Sequence, residues 1–463
     1  MAFERLTNEL LIEIVKYATL DGSVSTLRNL ASVNQILNCI ATPILYSKFD
    51  EVSCTSVPKL LRAILENPEL ATYVRSYTGH GIWNRSLKEK LELVAMLRQG
   101  GKMLEAGRLS QEEEALDVSE WDDDDFAACR ETLRMIELDI ELDSEMVEDW
   151  MSRIGEGKWH AMTGLLLLLL PNLEDIEMID YRFDQEGDME FALGIPAVLQ
   201  ESETSSQFAL GHLTDVSLSA YMPHDNDDPY GSREESEYLN FDDVMPFLTL
   251  PSVESVAISG LSNEMGQFGS SMPQDTNFGI KDLEINNTCL DMWYLIRLLR
   301  FFPFLRRFSY NHVAKEYETD FLPQEIGKAI AHLRPCLEEL ELSSMCERNG
   351  QYDMPTEIGS LAGFESLKNI DVEGDILLGY PDIEDDSRPV LHLPDILPRT
   401  LESLRIGPTG FPSCEEHLAE LLLVKDEKFP ALKKINMVGL GRPLTDPRGL
   451  RREFKAKGVR LIL

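Results

Sequence analysis

One short pattern of apolar positions recurs along the chain from Leu173 onward. An apolar residue, two variable residues, a second apolar residue, one variable residue and a third apolar residue appear as Leu173-Ile176-Met178, Leu213-Val216-Leu218 and Val253-Val256-Ile258. The pattern continues as Ile280-Leu283-Ile285, Leu305-Phe308-Tyr310, Leu337-Leu340-Leu342, Leu367-Ile370-Val372, Leu401-Leu404-Ile406 and Leu432-Ile435-Met437. The last two anchors of each triplet alternate with variable residues, which puts them on one face of a short strand. The first anchor lies beyond a bend and turns inward to the same core. Between triplets, stretches such as Asp291–Leu299 show helical spacing. Each unit therefore predicts one strand plus one helix, too small to bury its own apolar face, so neighbouring units must stack. The closing Gly458–Leu463 predicts a last strand. The leucine run 165–170, closed by Pro171, predicts a helix end buried on nearly all sides. It is far short of the about 20 apolar residues that cross a bilayer.

The first fifty residues follow a different rhythm. Leu6, Leu10 and Ile14 form one helical stripe, with Leu11, Val15 and Ala18 beside it. The Thr7 hydroxyl is placed to cap the helix start, and Glu9 sits in the first turn, where the helix dipole favours an anion. Asp21-Gly22-Ser23 breaks the chain. A second helix carries Leu27, Leu30, Ala31 and Val33, and a third carries Ile36, Leu37, Ile40, Ile44 and Leu45. A bundle this small buries little apolar surface, and an exposed apolar face on it points to a partner.

Composition narrows the function. The chain has 463 residues, 81 acidic against 43 basic, for a formal net charge of −38. Such a field repels phosphate backbones and anionic lipid, which argues against nucleic-acid and membrane partners. The seven cysteines form no CxxC pair, so reduced and mostly buried thiols of an intracellular protein, cytoplasmic or nuclear, are expected. Acidic stretches at 111–125, 223–237 and 382–386 read as solvated insertions. None has the spacing of a calcium loop, and no metal or cofactor is expected. Catalytic constellations are missing too: no Gly-x-Ser-x-Gly elbow and no His-Glu-x-x-His occur, and Gly155–Lys158 lacks the spacing of a phosphate loop. Gly79-His80-Gly81, after Val74 and Tyr77, reads as a strand end. Cys336, directly before a repeat anchor, reads as a buried thiol rather than a transfer site.

The triplets resemble those of leucine-rich repeat proteins. First anchors lie 25 to 40 residues apart, mostly wider than the usual about 20–29, so an irregular array with inserted loops is expected. The order of residues at the N-terminus, Leu6–Ile14, then Leu27–Asn34, then Pro43-Ile44-Leu45-Tyr46, resembles an F-box. Thr7 stands where that family usually has proline, and Tyr46–Phe49 where it has a later tryptophan. Together the resemblances imply an α/β protein, a three-helix F-box followed by an irregular solenoid of short parallel strands and helices. The expected organisation is a module at 1–50, a helical connector with the first atypical repeats at 51–160, and the repeat ribbon at 161–463.

F-box segments dock on the Skp adaptor of Skp–cullin–F-box ubiquitin ligases. The resemblance places that contact on Leu6, Leu10, Leu11, Ile14, Leu27, Leu30 and Val33, with service in the bundle's own core as the alternative for each. The implied function is a non-catalytic substrate receptor whose repeats hold an unidentified target protein for ubiquitination. An adaptor-bound scaffold acting outside the ligase is the alternative. In the repeat geometry, residues flanking the middle anchor point to the concave face. Candidate target contacts are Asp282, Glu284, Arg307, Glu339, Glu341, Asp371 and Arg405; over the whole face the mid-array is mainly acidic and the last units turn basic, with Arg405 and Lys434. A basic target fits that face; ordinary solvated strand residues would give the same pattern.

Overall fold

The computed structural model describes residues 7–18, 24–51, 56–80, 123–140, 144–156, 159–181, 210–220, 239, 241–261, 277–288, 290–313, 321–344, 357–379, 391–407, 414–438 and 444–463. Leu6, most of the acidic stretch 111–125, and the stretches 223–237 and 382–386 lie outside the described residues, as do Gly81, Gly157 and Lys158. The chain forms two compact units, Met1–Tyr238 with Asp243–Val253, and Leu239–Asp242 with Glu254–Leu463.

The first unit begins with three helices, α1 (Asn8–Ala18), α2 (Val24–Val33) and α3 (Gln35–Ser47). At the start of α1 the Leu11 N–H bonds the Thr7 carbonyl at 3.1 Å. The Glu9 carboxyl is held below its ordinary range by a backbone N–H and by the Thr7 hydroxyl. The Asn34 side chain caps α3, accepting from the Leu37 N–H at 2.9 Å. Leu11 and Val15 meet Leu27, Leu37 and Ala41 in a small core, with Leu30, Ala31, Ile40, Ile44 and Leu45 partly buried around it.

Directly after α3 the chain enters β1 (Lys48–Asp50), which pairs in parallel with β2 (Ser76–His80). Then follow β3 (Asp175–Tyr181) and β4 (Asp215–Ala220), again parallel and in sequence order. In the first two strands the third-anchor position is filled by Glu51 and by Gly79. Glu51 is fully buried, and its carboxylate accepts the His80 N–H at 3.1 Å. Tyr77 stacks on Phe49 with ring centroids 5.6 Å apart. Burial, reinforced by the Glu51 carboxylate, pushes the Tyr77 phenol well above its ordinary pKa. The leucine run ends the helix Trp159–Leu168, with Leu165 to Leu168 and Leu170 buried.

The second unit carries β5 (Ser255–Ser259), β6 (Asp282–Thr288), β7 (Arg307–His312), β8 (Glu339–Ser344), β9 (Asn369–Val372), β10 (Ser403–Ile406), β11 (Lys434–Met437) and β12 (Arg460–Ile462). All pair in parallel, in sequence order. Over the two units, no anchor of the nine triplets is more than 5% exposed. The bend after each first anchor is fixed by a shared carbonyl. The Glu254 carbonyl accepts the N–H groups of Lys281 and Asp282, the Lys281 carbonyl those of Arg306 and Arg307, and the device repeats to the Lys433 carbonyl and Arg460 N–H. Side chains at the same bend pair from one repeat to the next within this unit: Lys281 with Glu254, Lys368 with Glu338 at 2.7 Å, and Lys433 with Glu402. Between strands, the helix Met292–Leu299 starts where the Asp291 carboxylate accepts the Trp293 N–H at 2.7 Å, and it buries Met292, Leu295, Leu298 and Leu299.

Candidate functional site

Alternation along each strand sends the second and third anchors inward and the residues beside the second anchor onto the open face of the sheet. Parallel register then lines those open-face residues up across strands. One row runs Asp282, Arg307, Glu339, Asn369, Ser403, Lys434 and Arg460. The second row, two residues further on, runs Glu284, Ser309, Glu341, Asp371, Arg405 and Asn436. All seven candidate target contacts read from the sequence thus lie together, in the lining of a depression of about 430 Å³.

Within this face Arg307 and Arg405 are already engaged. Arg307 grips Asp282 through two bonds, Nε to Oδ1 at 3.2 Å and Nη2 to Oδ2 at 2.8 Å. Arg405 bonds the Asp371 carboxylate through Nη1. Each guanidinium is held above its ordinary pKa by its aspartate partner. Glu339 accepts from the Asn369 amide at 2.9 Å, and Glu284 from the Asn286 amide. Glu341 is different. Lost hydration first, then the facing carboxylates of Asp371 and Glu284, raise its pKa; the Ser309 hydroxyl and Arg405 offset this only in part.

The sign of that shift gives a prediction. A carboxyl with a raised folded pKa keeps its proton to higher pH in the native state than in the unfolded chain. Its charge therefore subtracts stability as pH climbs from the ordinary value of 4.5 through the raised one. Glu341→Gln should melt about 1 °C above the parent at pH 7, a small effect because the group is solvent-facing. The gap should close near pH 4. A variant less stable than the parent at pH 7 would show that Glu341 is compensated.

The candidate adaptor contacts divide by burial. Leu11 and Leu27 are 3% and 7% exposed inside the bundle's core, so they are spent on holding the helices together. Leu30 is half-buried against that core. Leu10, Ile14 and Val33 are 52%, 40% and 64% exposed. The structure adds Tyr17, Val24 and Ile36, all exposed. Tyr17 continues the Leu10–Ile14 stripe by one helical step, a signal present in the sequence spacing.

The repeated strand and helix, with the triplet anchors buried throughout, find a match among known families. A profile for the leucine-rich repeat domain covers residues 108–439, well over half of the chain. The chain belongs to the leucine-rich repeat family. The match begins at residue 108, beyond α1–α3. No curated protein matches the chain.

Leucine-rich repeat domains are typically non-catalytic modules that bind other proteins, and this repeat chain is accordingly a protein-interaction protein. Among the described residues, no group of three or more His, Cys, Asp or Glu side chains is placed to hold a metal ion. No helix among them is long and apolar enough to cross a membrane. Of the described cysteines, Cys129 is buried, Cys336 half-buried and Cys39 exposed. Burial pushes the Cys129 thiol up to about 12 and raises that of Cys336 as well, the opposite of what a nucleophilic thiolate needs. The expectation that Cys336 is buried is corrected to half-buried: its Sγ sits 3.6 Å from the carbonyls of Pro303 and Leu333, at the end of a short helix.

Proposed function

We propose that the repeat chain is a substrate receptor, with α1–α3 docking on a Skp-type adaptor and the open face of β6–β12 holding a target protein. The adaptor would bring a cullin, and catalysis would belong to other subunits. The observation that carries the reading is the double use of α1. Leu11 and Val15 are 3% and 0% exposed in the bundle's core, while Leu10, Ile14 and Tyr17 give the same helix a second apolar stripe facing solvent. A stripe on Leu10, Ile14 and Tyr17, with Val33 and Ile36 exposed on the neighbouring helices, is what an adaptor groove would cover.

The test is co-purification of the full chain with recombinant Skp adaptor, beside a variant carrying Leu10→Asp and Ile14→Asp. Because both side chains are solvent-facing, the variant should keep the parent's melting temperature to within a few degrees. It should lose adaptor binding by about 100-fold or more, as two central apolar contacts are replaced by charge. A folded parent that does not bind the adaptor would sink the proposal. Binding that survives the double substitution would move the docking surface elsewhere. Recovery of a cullin in the same complex separates a ligase receptor from an adaptor-bound scaffold.

A further inference from the structure

The open face of the second unit is polarised along the array. On β6–β10 its two rows hold five carboxylates, Asp282, Glu284, Glu339, Glu341 and Asp371, against two arginines. The two arginines are each taken by an aspartate, Arg307 by Asp282 and Arg405 by Asp371. Among the described residues the charges left over are Glu284, Glu339 and Glu341. On β11 and β12 the same rows hold Lys434 and Arg460, directly opposite one another in register and both exposed. Neither is in an ion pair with another of the described residues. The bend just before the strands is unlike this face, since its charges pair with each other from unit to unit.

The two surplus groups do not neutralise one another. With parallel strands about 4.8 Å apart, Glu341 on β8 and Lys434 on β11 are separated by roughly 14 Å. That exceeds the screening length of about 8 Å at physiological salt. Each pole therefore presents its sign to a partner, over a depression that no side chain of the described residues fills.

We infer that this face binds an extended protein segment of split charge, basic residues over β6–β8 and acidic residues over β11–β12, running across the strands. The two charged blocks of such a segment would be centred about 15–25 Å apart, or roughly five to seven extended residues. A uniformly acidic segment meets Glu284, Glu339 and Glu341, and a uniformly basic one meets Lys434 and Arg460. The inference rests on the reading of this face as the target surface and gives that target its chemistry.

Labelled peptides serve as probes in fluorescence anisotropy with the full chain at low and physiological salt. A peptide of three lysines, a Gly-Ser-Gly-Ser spacer and three glutamates represents split charge, as does its reverse. A peptide of the same composition with alternating lysine and glutamate represents none, and six lysines followed by the same spacer are uniformly basic. The better of the two split peptides should bind roughly three- to tenfold more tightly than the alternating one, the sum of a few solvent-facing ion pairs. That advantage should shrink in Glu284→Gln/Glu341→Gln, which keeps Glu339, and vanish in Lys434→Gln/Arg460→Gln. Equal binding of split and alternating peptides would overturn the inference. Should the basic peptide bind as tightly as the split one, and respond only to the glutamate variant, the face is a binding surface but an unpolarised one, which overturns this inference and leaves the target surface standing. If neither double variant changes the binding of any peptide, both fall.

Discussion

Phe308→Ala should lower the stability of the second unit by about 3–5 kcal/mol, the cost of emptying a fully buried aromatic site. Phe308 is 1% exposed at the middle anchor of β7, and it opens an inward aromatic column along that strand. Its ring lies 6.4 Å from that of Tyr310, whose hydroxyl meets His312 Nδ1 at 2.9 Å, and Phe321 stacks on both Tyr310 and His312. Parallel neighbours Leu283 on β6 and Leu340 on β8 flank Phe308 in register. In a stacked array each unit is held chiefly by its neighbours, so a hole at one anchor weakens two interfaces. The melting transition should fall on the order of 10 °C. Lys434→Ala, on the open face of the same sheet, should shift stability by no more than about 0.5 kcal/mol. Comparable losses from the two substitutions would mean that the assignment of inward and outward faces is wrong.

Much of this was legible in the chain because strand alternation is a strong code. Every triplet from Leu173 to Met437 named a buried set, and Gly458–Leu463 supplied β12 as expected. The strands outside the triplet pattern are instructive, although the end of β2 was read at Gly79-His80. β1 and β2 carry Phe49 and Tyr77 at the middle position, but Glu51 and Gly79 stand where an apolar third anchor belongs. A search for apolar residues passes over a buried carboxylate that is satisfied by the His80 backbone N–H. Such a residue is intelligible only after the strands are paired.

Placement on the open face was equally readable, since it follows from the same alternation, and so was its drift from acidic mid-array to basic last units; the pairing within it was not. Arg307 and Arg405 stand in the sequence far from the aspartates that they meet in the fold. Register sets each beside one aspartate and cancels it, which leaves the surplus positive charge on Lys434 and adds Arg460 beside it. At the N-terminus the helical period gave both stripes of α1 but not their order. Which stripe is core depends on where α2 and α3 pack, and they pack on Leu11 and Val15. The family match rests on the repeats, while the three helices that the adaptor proposal needs lie before residue 108.

Gly327→Ala reverses the usual rule for glycine in a helix. Gly327 lies inside the helix Pro323–Ala329, where alanine ordinarily gains about 1 kcal/mol over glycine by restricting the unfolded chain and favouring the helix. Here a Cβ would stand 2.0 Å from the Ile358 carbonyl oxygen and 3.1 Å from its carbonyl carbon. Those are backbone atoms, held in place because the Ile358 N–H bonds the Ile376 carbonyl at 2.8 Å and the Ile358 side chain is 3% exposed. The helix cannot withdraw freely either, since Ile326 within it and Ile330 directly after it are completely buried. One of the two segments has to move by more than an ångström, and overpacking of that kind costs about 1–3 kcal/mol beyond the lost propensity gain. Gly155→Ala provides the contrast: it also lies in a helix, nothing stands within 4 Å of its Cβ, and it should be neutral or slightly stabilising. Denaturant titration of both variants reads the difference. If Gly327→Ala were as stable as the parent, the close approach of helix Pro323–Ala329 to Ile358 would not exist in the folded protein.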